Sequence, residues 1–149
     1  MSEQEQIDLR RSVVLETAVR LVFHTVLVFG VYLLFAGHNQ PGGGFVGGLV
    51  AGCAFVLRYA VTGREGIGRA VPVDPSLPLG AGLLLAGGTG AAAWLLGAQF
   101  LESGYVELDL PVLGVVKATS ALPFDVGVFL VVVGLVLLVL RTLGAEAEQ

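Results

Sequence analysis

Charge is what this chain has least of. Asp, Glu, Lys and Arg together make up 13% of its 149 residues, about half the share of an ordinary soluble domain. There is one cysteine, Cys53, set inside an apolar run, so no intrachain disulfide can form and the thiol reads as a small buried side chain. The two histidines, His24 and His38, stand far apart with no second Cys or His beside either. No nucleophile–base pair, metal cluster or redox-ligand set is spelled out. These absences argue against an enzyme, a resident metal and a cofactor. No basic run marks a nucleic-acid partner either. A cleavable leader is not expected, because MSEQEQIDLRRSVV is acidic before it is basic and the apolar run behind it is too long for a signal sequence.

Apolar residues fill the space that charge leaves, at 55% of the chain with a mean hydropathy of +0.86. They come in four blocks, Val13–Ala36, Phe45–Val61, Leu77–Phe100 and Phe124–Leu140, each approaching or exceeding the roughly 20 residues that cross a bilayer as a helix. The expectation is an all-α membrane protein: one domain of four transmembrane helices, with residues 1–12 and 142–149 as tails. Its cations are asymmetrically placed. Arg10 and Arg11 precede the first block, Arg58, Arg64 and Arg69 close or follow the second, and Arg141 follows the fourth. The opposite connections hold only Lys117. Short basic loops stay in the cytoplasm, so both tails and the 62–76 loop are expected on the cytoplasmic side of a cell membrane.

The 62–76 stretch, TGREGIGRAVPVDPS, reads as an irregular Gly/Pro-rich loop. The outer stretch, Glu102 to Pro123, alternates strictly over Val106–Leu110, the pattern of a half-buried strand. A turn at Pro111–Gly114 would then give a small hairpin.

The most punctuated stretch is GHNQPGGGFVGG, residues 37–48. Asn39 suits an N-cap and Pro41 a first helical turn. From there Gly43/Gly47, Gly44/Gly48 and Gly48/Gly52 are small-xxx-small pairs that let helix backbones approach closely. Neither GxGxxG nor a Walker pattern is present, so phosphate binding is disfavoured.

These residues carry a resemblance. HNQPGGGFVGGLVAG, with His38, Asn39, Pro41, Gly42, Gly43, Gly44, Phe45, Gly47, Gly48 and Gly52, followed by Arg58-Tyr59, resembles the signature of the MnhB/MrpB family of Mrp-type multisubunit Na⁺/H⁺ antiporters. FDVGVFLVVVG, Phe124–Gly134, resembles that family's last helix, and Lys117 stands where the family often has a basic residue. The resemblance spans roughly residues 20–140. It implies a small membrane subunit of a complex exchanging Na⁺ for H⁺, with the other antiporter subunits and the bilayer as partners. Related modules in respiratory and hydrogenase complexes give the alternative, a structural subunit with no ion path of its own. A stand-alone homo-oligomeric transporter would need a carboxylate at mid-depth, and the sequence supplies none.

Ionisable groups inside a membrane are costly and mark functional positions. Glu16, Arg20 and His24 recur every four residues and share one face of the first helix. They read either as a network that pairs or relays protons, or, for Glu16 and Arg20, as a boundary pair with Arg20 reaching the headgroups. Asp125 reads as a first-turn carboxylate favoured by the dipole of its own helix, or as the partner of Lys117 at a cation entrance. Glu102, Glu107 and Asp109 make the outer stretch negative. Thr25 and Thr89 are expected to bond backbone carbonyls or neighbouring helices, and Trp94, with Gly80, Gly82, Gly87, Gly88 and Gly90 on the same helix, to meet other proteins.

Overall fold

The computed structural model describes residues 3–37, 42–95, 105–110, 114–119 and 121–146. Four helices dominate: α1 (Glu3–Ala36), α2 (Gly44–Ala70), α3 (Ser76–Leu95) and α4 (Ala121–Glu146). Between α3 and α4, strands β1 (Tyr105–Leu110) and β2 (Gly114–Thr119) pair antiparallel, Val106 opposite Ala118 and Glu107 opposite Lys117. Among the described residues three helical stretches are long and apolar enough to cross a membrane, Val13–Ala36, Gly44–Gly63 and Ala121–Leu143. The apolar part of α3, Ser76–Ala92, is shorter. Helices suit such sequences because every backbone N–H and C=O is satisfied within the segment.

The order in space is α1, α2, α4, α3, with α1 and α4 meeting only lightly. The core is thin and lies where α2 is held between its neighbours. Phe23, Ala51, Ala54, Phe55, Ile67, Val133, Leu137 and Leu140 are its buried members. Among the described residues no polar or charged side chain is buried, while Leu21, Val28, Leu84 and Trp94 are each at least 70% exposed. A surface so apolar is an outer face for lipid or for other chains.

Several expectations need correction. The expected span Val13–Ala36 holds, but residues 3–12 are not a separate tail: the helix runs on from Glu3, because Glu, Gln, Leu and Arg at 3–11 are good helix formers. The stretch 62–70 is not an irregular loop. At Gly63 the chain breaks helical geometry (φ 64, ψ −164) and then resumes it to Ala70. The left-handed φ suits glycine, and the resumed turn is held by Ile67, which is 2% exposed in the core. Only residues 71–75 link α2 to α3 without helix. The fourth helix begins at Ala121, so Asp125 is past its first turn, which contains no acid. Cys53 is exposed rather than buried, since α2 meets its neighbours through other faces.

That short connection is pinned from both sides. Arg141 donates through Nη2 to the carbonyls of Val71 (3.2 Å) and Val73 (2.8 Å). Asp74 Oδ1 accepts from the backbone N–H and the hydroxyl of Ser76, at 2.9 and 2.7 Å, capping α3. The Ser76 amide, then its hydroxyl, and more weakly Arg141 hold the Asp74 carboxyl below the usual carboxylate range.

Candidate functional site

The glycine motif puts two different faces of α2 to use. Gly47 faces α1, where a Cβ would stand 2.5 Å from the Gly30 carbonyl oxygen and 3.1 Å from the Leu34 nitrogen. Gly44, Gly48 and Gly52 face α4, meeting Asp125, Val132 and Val136 in turn. A Cβ on Gly44 would overlap the Asp125 carbonyl; one on Gly48 would come 2.9 Å from Val132 Cβ. Close approach on both sides is the geometric reason for glycine here. Phe45, between them, points outward at 58% exposure.

The cap of α2 differs from expectation. Gly43, with φ 93, is the N-cap, and it offers no side chain. Its N–H donates to Leu33 O at 2.9 Å, while that carbonyl also accepts from Gly37 at 3.2 Å, so the turn is closed onto the end of α1. A Cβ on Gly42 would come 2.6 Å from the same Leu33 oxygen. Asn39 and Pro41, expected as the cap and in the first turn, lie outside the described residues, as does His38. Asp125 answers part of the question they raised. A Cβ built on Gly43 would sit 3.7 Å from both carboxylate oxygens of Asp125. The carboxylate therefore stands at the positive end of α2, not at the start of its own helix.

A second polar group occupies the other end of the α1–α2 pair. Arg20 Nη2 lies 3.5 Å from Glu16 Oε1, and both side chains are at least half exposed. His24, one turn on, is exposed and its Nδ1 lies 2.7 Å from the Arg20 carbonyl oxygen, which fixes that nitrogen as the donor. Across from them, Arg58 donates through Nε to Gly66 O at 3.1 Å, bridging the break at Gly63. Its guanidinium lies 4.9 Å above the ring of Phe23, and Phe23 meets Phe55 edge to face at 5.3 Å. A cavity of about 270 Å³ opens among Glu16, Arg20, Arg58, Thr62, Glu65 and Arg69.

The expected site residues thus divide rather than gather. Asp125 is at the Gly43 end of α2 and Arg20 toward the Thr62 end, while His24 stands near the middle of the span Val13–Ala36. Nearly the whole of the α2 span separates Asp125 from the Thr62 end, roughly 28 Å at about 1.5 Å per residue. Lys117 is on β2 with its Cα opposite that of Glu107; its side chain is outside what the structure describes. Thr25 and Thr89 bond the carbonyls of Leu21 (3.0 Å) and Ala86 (2.9 Å), as expected. Arg58 is a site residue that the sequence marks only for topology and as the close of the glycine motif. The signal was there: an arginine at the end of an apolar span, with a glycine break five residues later.

On the third helix, Gly82 meets α4, its Cβ position 2.6 Å from Gly127 O, while Gly80, Gly87 and Gly88 face open space. Gly127 and Gly134 return the close approach toward Ala86 and Leu79.

Comparison with known proteins gives this geometry a setting. Residues 14–138 match the model of a domain related to the MnhB subunit of Na⁺/H⁺ antiporters. The chain is similar to the corresponding Na⁺/H⁺ antiporter subunit of Alkalihalophilus pseudofirmus, 41% identical over 90% of this chain and 93% of that protein. It is equally similar to the Na⁺/H⁺ antiporter subunit of the same kind from Bacillus subtilis, 41% identical over 98% of this chain and 99% of the other. Among solved structures, a chain of the Mrp complex from Dietzia sp. superposes with a TM-score of 0.76 at 30% identity. That match covers 91% of this chain and only 14% of the larger one.

Proposed function

The chain belongs to the family of domains related to the MnhB subunit of Na⁺/H⁺ antiporters, and from that premise we propose that it is a membrane subunit of a multisubunit Na⁺/H⁺ antiporter. The observation that carries this is the match to antiporter subunits of the same kind over nearly the full length of both chains. The architecture supports it. A thin core and an outer face with Leu84, Trp94 and Leu95 largely exposed suit a subunit completed by lipid and other chains.

In this reading all four helices cross the membrane. The 20 residues of α3 reach about 30 Å, the thickness of the hydrocarbon layer, and α3 follows α4 closely through Gly82, Gly127 and Gly134. Both termini and the end of α2 face the cytoplasm, following the arginines at 58, 64, 69 and 141. The β1–β2 segment is then external. Asp125 and Lys117 stand at the outer mouth, Arg20 toward the inner end and His24 at mid-span. With the charged groups at opposite ends of the span, this subunit gives assembly surface first, and any cation route it shares is finished by residues of its neighbours.

Deleting this gene alone and measuring Na⁺-driven proton movement in everted membrane vesicles tests the proposal. Antiport should disappear and return with the intact gene. Unchanged antiport in the deletion would overturn it. A deletion that spares antiport but abolishes a respiratory or hydrogenase activity would assign the chain to that kind of complex.

A further inference from the structure

We infer that the cavity between α1 and the broken end of α2 binds the phosphate headgroup of an anionic phospholipid, which the protein holds as a bound lipid of the leaflet on its N-terminal side. The inference rests on the membrane reading above but not on antiport.

The position comes first. Glu16 and Arg20 lie near the start of the span Val13–Ala36, Arg58 and Thr62 near the end of the span Gly44–Gly63, and Glu65 and Arg69 just beyond it. The cavity is therefore at the level where hydrocarbon gives way to headgroups. Its charge is next. Three guanidinium groups against two carboxylates leave it net positive, and basic pockets between helices at this depth attract anionic headgroups. The carboxylates do not saturate the arginines. Arg20–Glu16 and Arg69–Glu65 are single contacts at 3.5 and 3.4 Å between exposed side chains, a kind of pair worth little in water. Each guanidinium carries five N–H donors. Arg58 is the anchor. Its Nε is committed to Gly66 O and its plane to Phe23, and among the described residues it has no carboxylate partner. Its terminal nitrogens are thus held in place and available for a bidentate phosphate contact.

The surroundings choose lipid over another helix. Leu15 and Val61 also line the cavity, and the α1 surface around it is exposed Val13, Val14, Leu15, Leu21 and Val22. The closest helix contacts of this chain run through Gly30, Gly47, Gly82 and Gly127. The α1 rim has bulky aliphatic side chains instead, a surface that acyl chains fit and a closely packed helix does not.

The test uses the intact complex, reconstituted in phosphatidylcholine vesicles doped with photoreactive phosphatidylglycerol or with photoreactive phosphatidylcholine of the same acyl chains. The anionic probe should label peptides within 13–24 and 58–69 several-fold more than the zwitterionic one. Excess inorganic phosphate should not compete. Arg20→Gln and Arg69→Gln, both exposed and outside the core, should each reduce labelling about fivefold, the equivalent of ~1 kcal/mol per basic side chain near an anionic surface. Arg58→Gln should reduce it most. Equal labelling by the two lipids would overturn the inference, as would labelling unchanged in the Arg20→Gln, Arg69→Gln double variant. Competition by inorganic phosphate would assign the cavity to a soluble anion and reject the lipid. Absence of labelling in the complex would also overturn it, because a neighbouring protein would then cover the cavity.

Discussion

Replacing single glycines of α2 by alanine measures how closely the helices approach. At Gly44 a Cβ would overlap the Asp125 carbonyl oxygen and stand 2.7 Å from its carbonyl carbon. Neither side has a side chain that can rotate away, so one helix must move. Overpacking of this kind costs typically ~1–3 kcal/mol, and a backbone-on-backbone clash belongs at or above the upper end. At Gly48 the clash is with Val132 Cβ at 2.9 Å and Phe129 O at 3.3 Å. The cost there is of the same ~1–3 kcal/mol order, partly offset by the ~1 kcal/mol that alanine gains over glycine in a helix. At Gly52 the nearest atom is a Val136 methyl at 3.0 Å, which a small shift relieves, so the two effects nearly cancel. At Gly87 of α3, the control outside α2, nothing lies within 4 Å, and alanine should stabilise by up to ~1 kcal/mol. Unfolding the purified protein by titration with a denaturing detergent, followed by helicity, gives the ranking. The expected order of stability is Gly87→Ala, then Gly52→Ala, Gly48→Ala and Gly44→Ala. A Gly44→Ala protein as stable as Gly87→Ala would refute the α2–α4 contact and the reason given for the motif.

The remaining predictions concern topology, charge and pH. In a Cys53→Ala background, Gly68→Cys, at an exposed position with open space around it, should be labelled by an impermeant thiol reagent only in everted vesicles; labelling in intact cells would reverse the orientation. If Lys117 and Asp125 pair in a partly dry site, Lys117→Ala and Asp125→Ala should each cost as much as ~3–5 kcal/mol of complex stability, against ~0–1 kcal/mol for a solvated pair. The double variant should then lose less than the sum, and strict additivity would show that the two do not interact. Asp74 has a folded-state carboxyl held below its ordinary value, so its contribution is complete above the ordinary range and fades as pH falls through the lower, folded value. Pepsin cleavage at the 71–75 connection should therefore increase as pH drops below roughly 4, and Asp74→Asn should show the raised cleavage at all acid pH; identical pH profiles would remove Asp74 from the cap.

The helices were legible where length alone decides. Apolar runs as long as Val13–Ala36 and Phe124–Leu140 have few alternatives in a membrane, and both fall inside observed helices. The boundaries were less so. The residues before Val13 look like a polar tail until their helix propensity is weighed, and the glycines at 63, 66 and 68 look like a loop. Only the burial of Ile67 and the Arg58 bridge, both tertiary facts, make that stretch helical. The glycine spacing foretold a close helix contact, but not that Gly47 would serve α1 while Gly44, Gly48 and Gly52 serve α4. Asp125 shows the same limit. Its place near the start of a helix was readable, yet the helix terminus it stands against belongs to α2, some 80 residues earlier in the chain. No local pattern encodes such a meeting.

The function proposed for this chain depends on its membership in an antiporter assembly. The decisive measurement is purification through an affinity tag on this chain, followed by reconstitution in liposomes and a fluorescence assay of Na⁺-driven proton flux. Co-purified large membrane subunits that exchange Na⁺ for H⁺, with both the partners and the flux lost in Gly44→Leu, are the predicted result. A tagged chain that purifies alone, or with a complex that shows no Na⁺-driven flux, would contradict it.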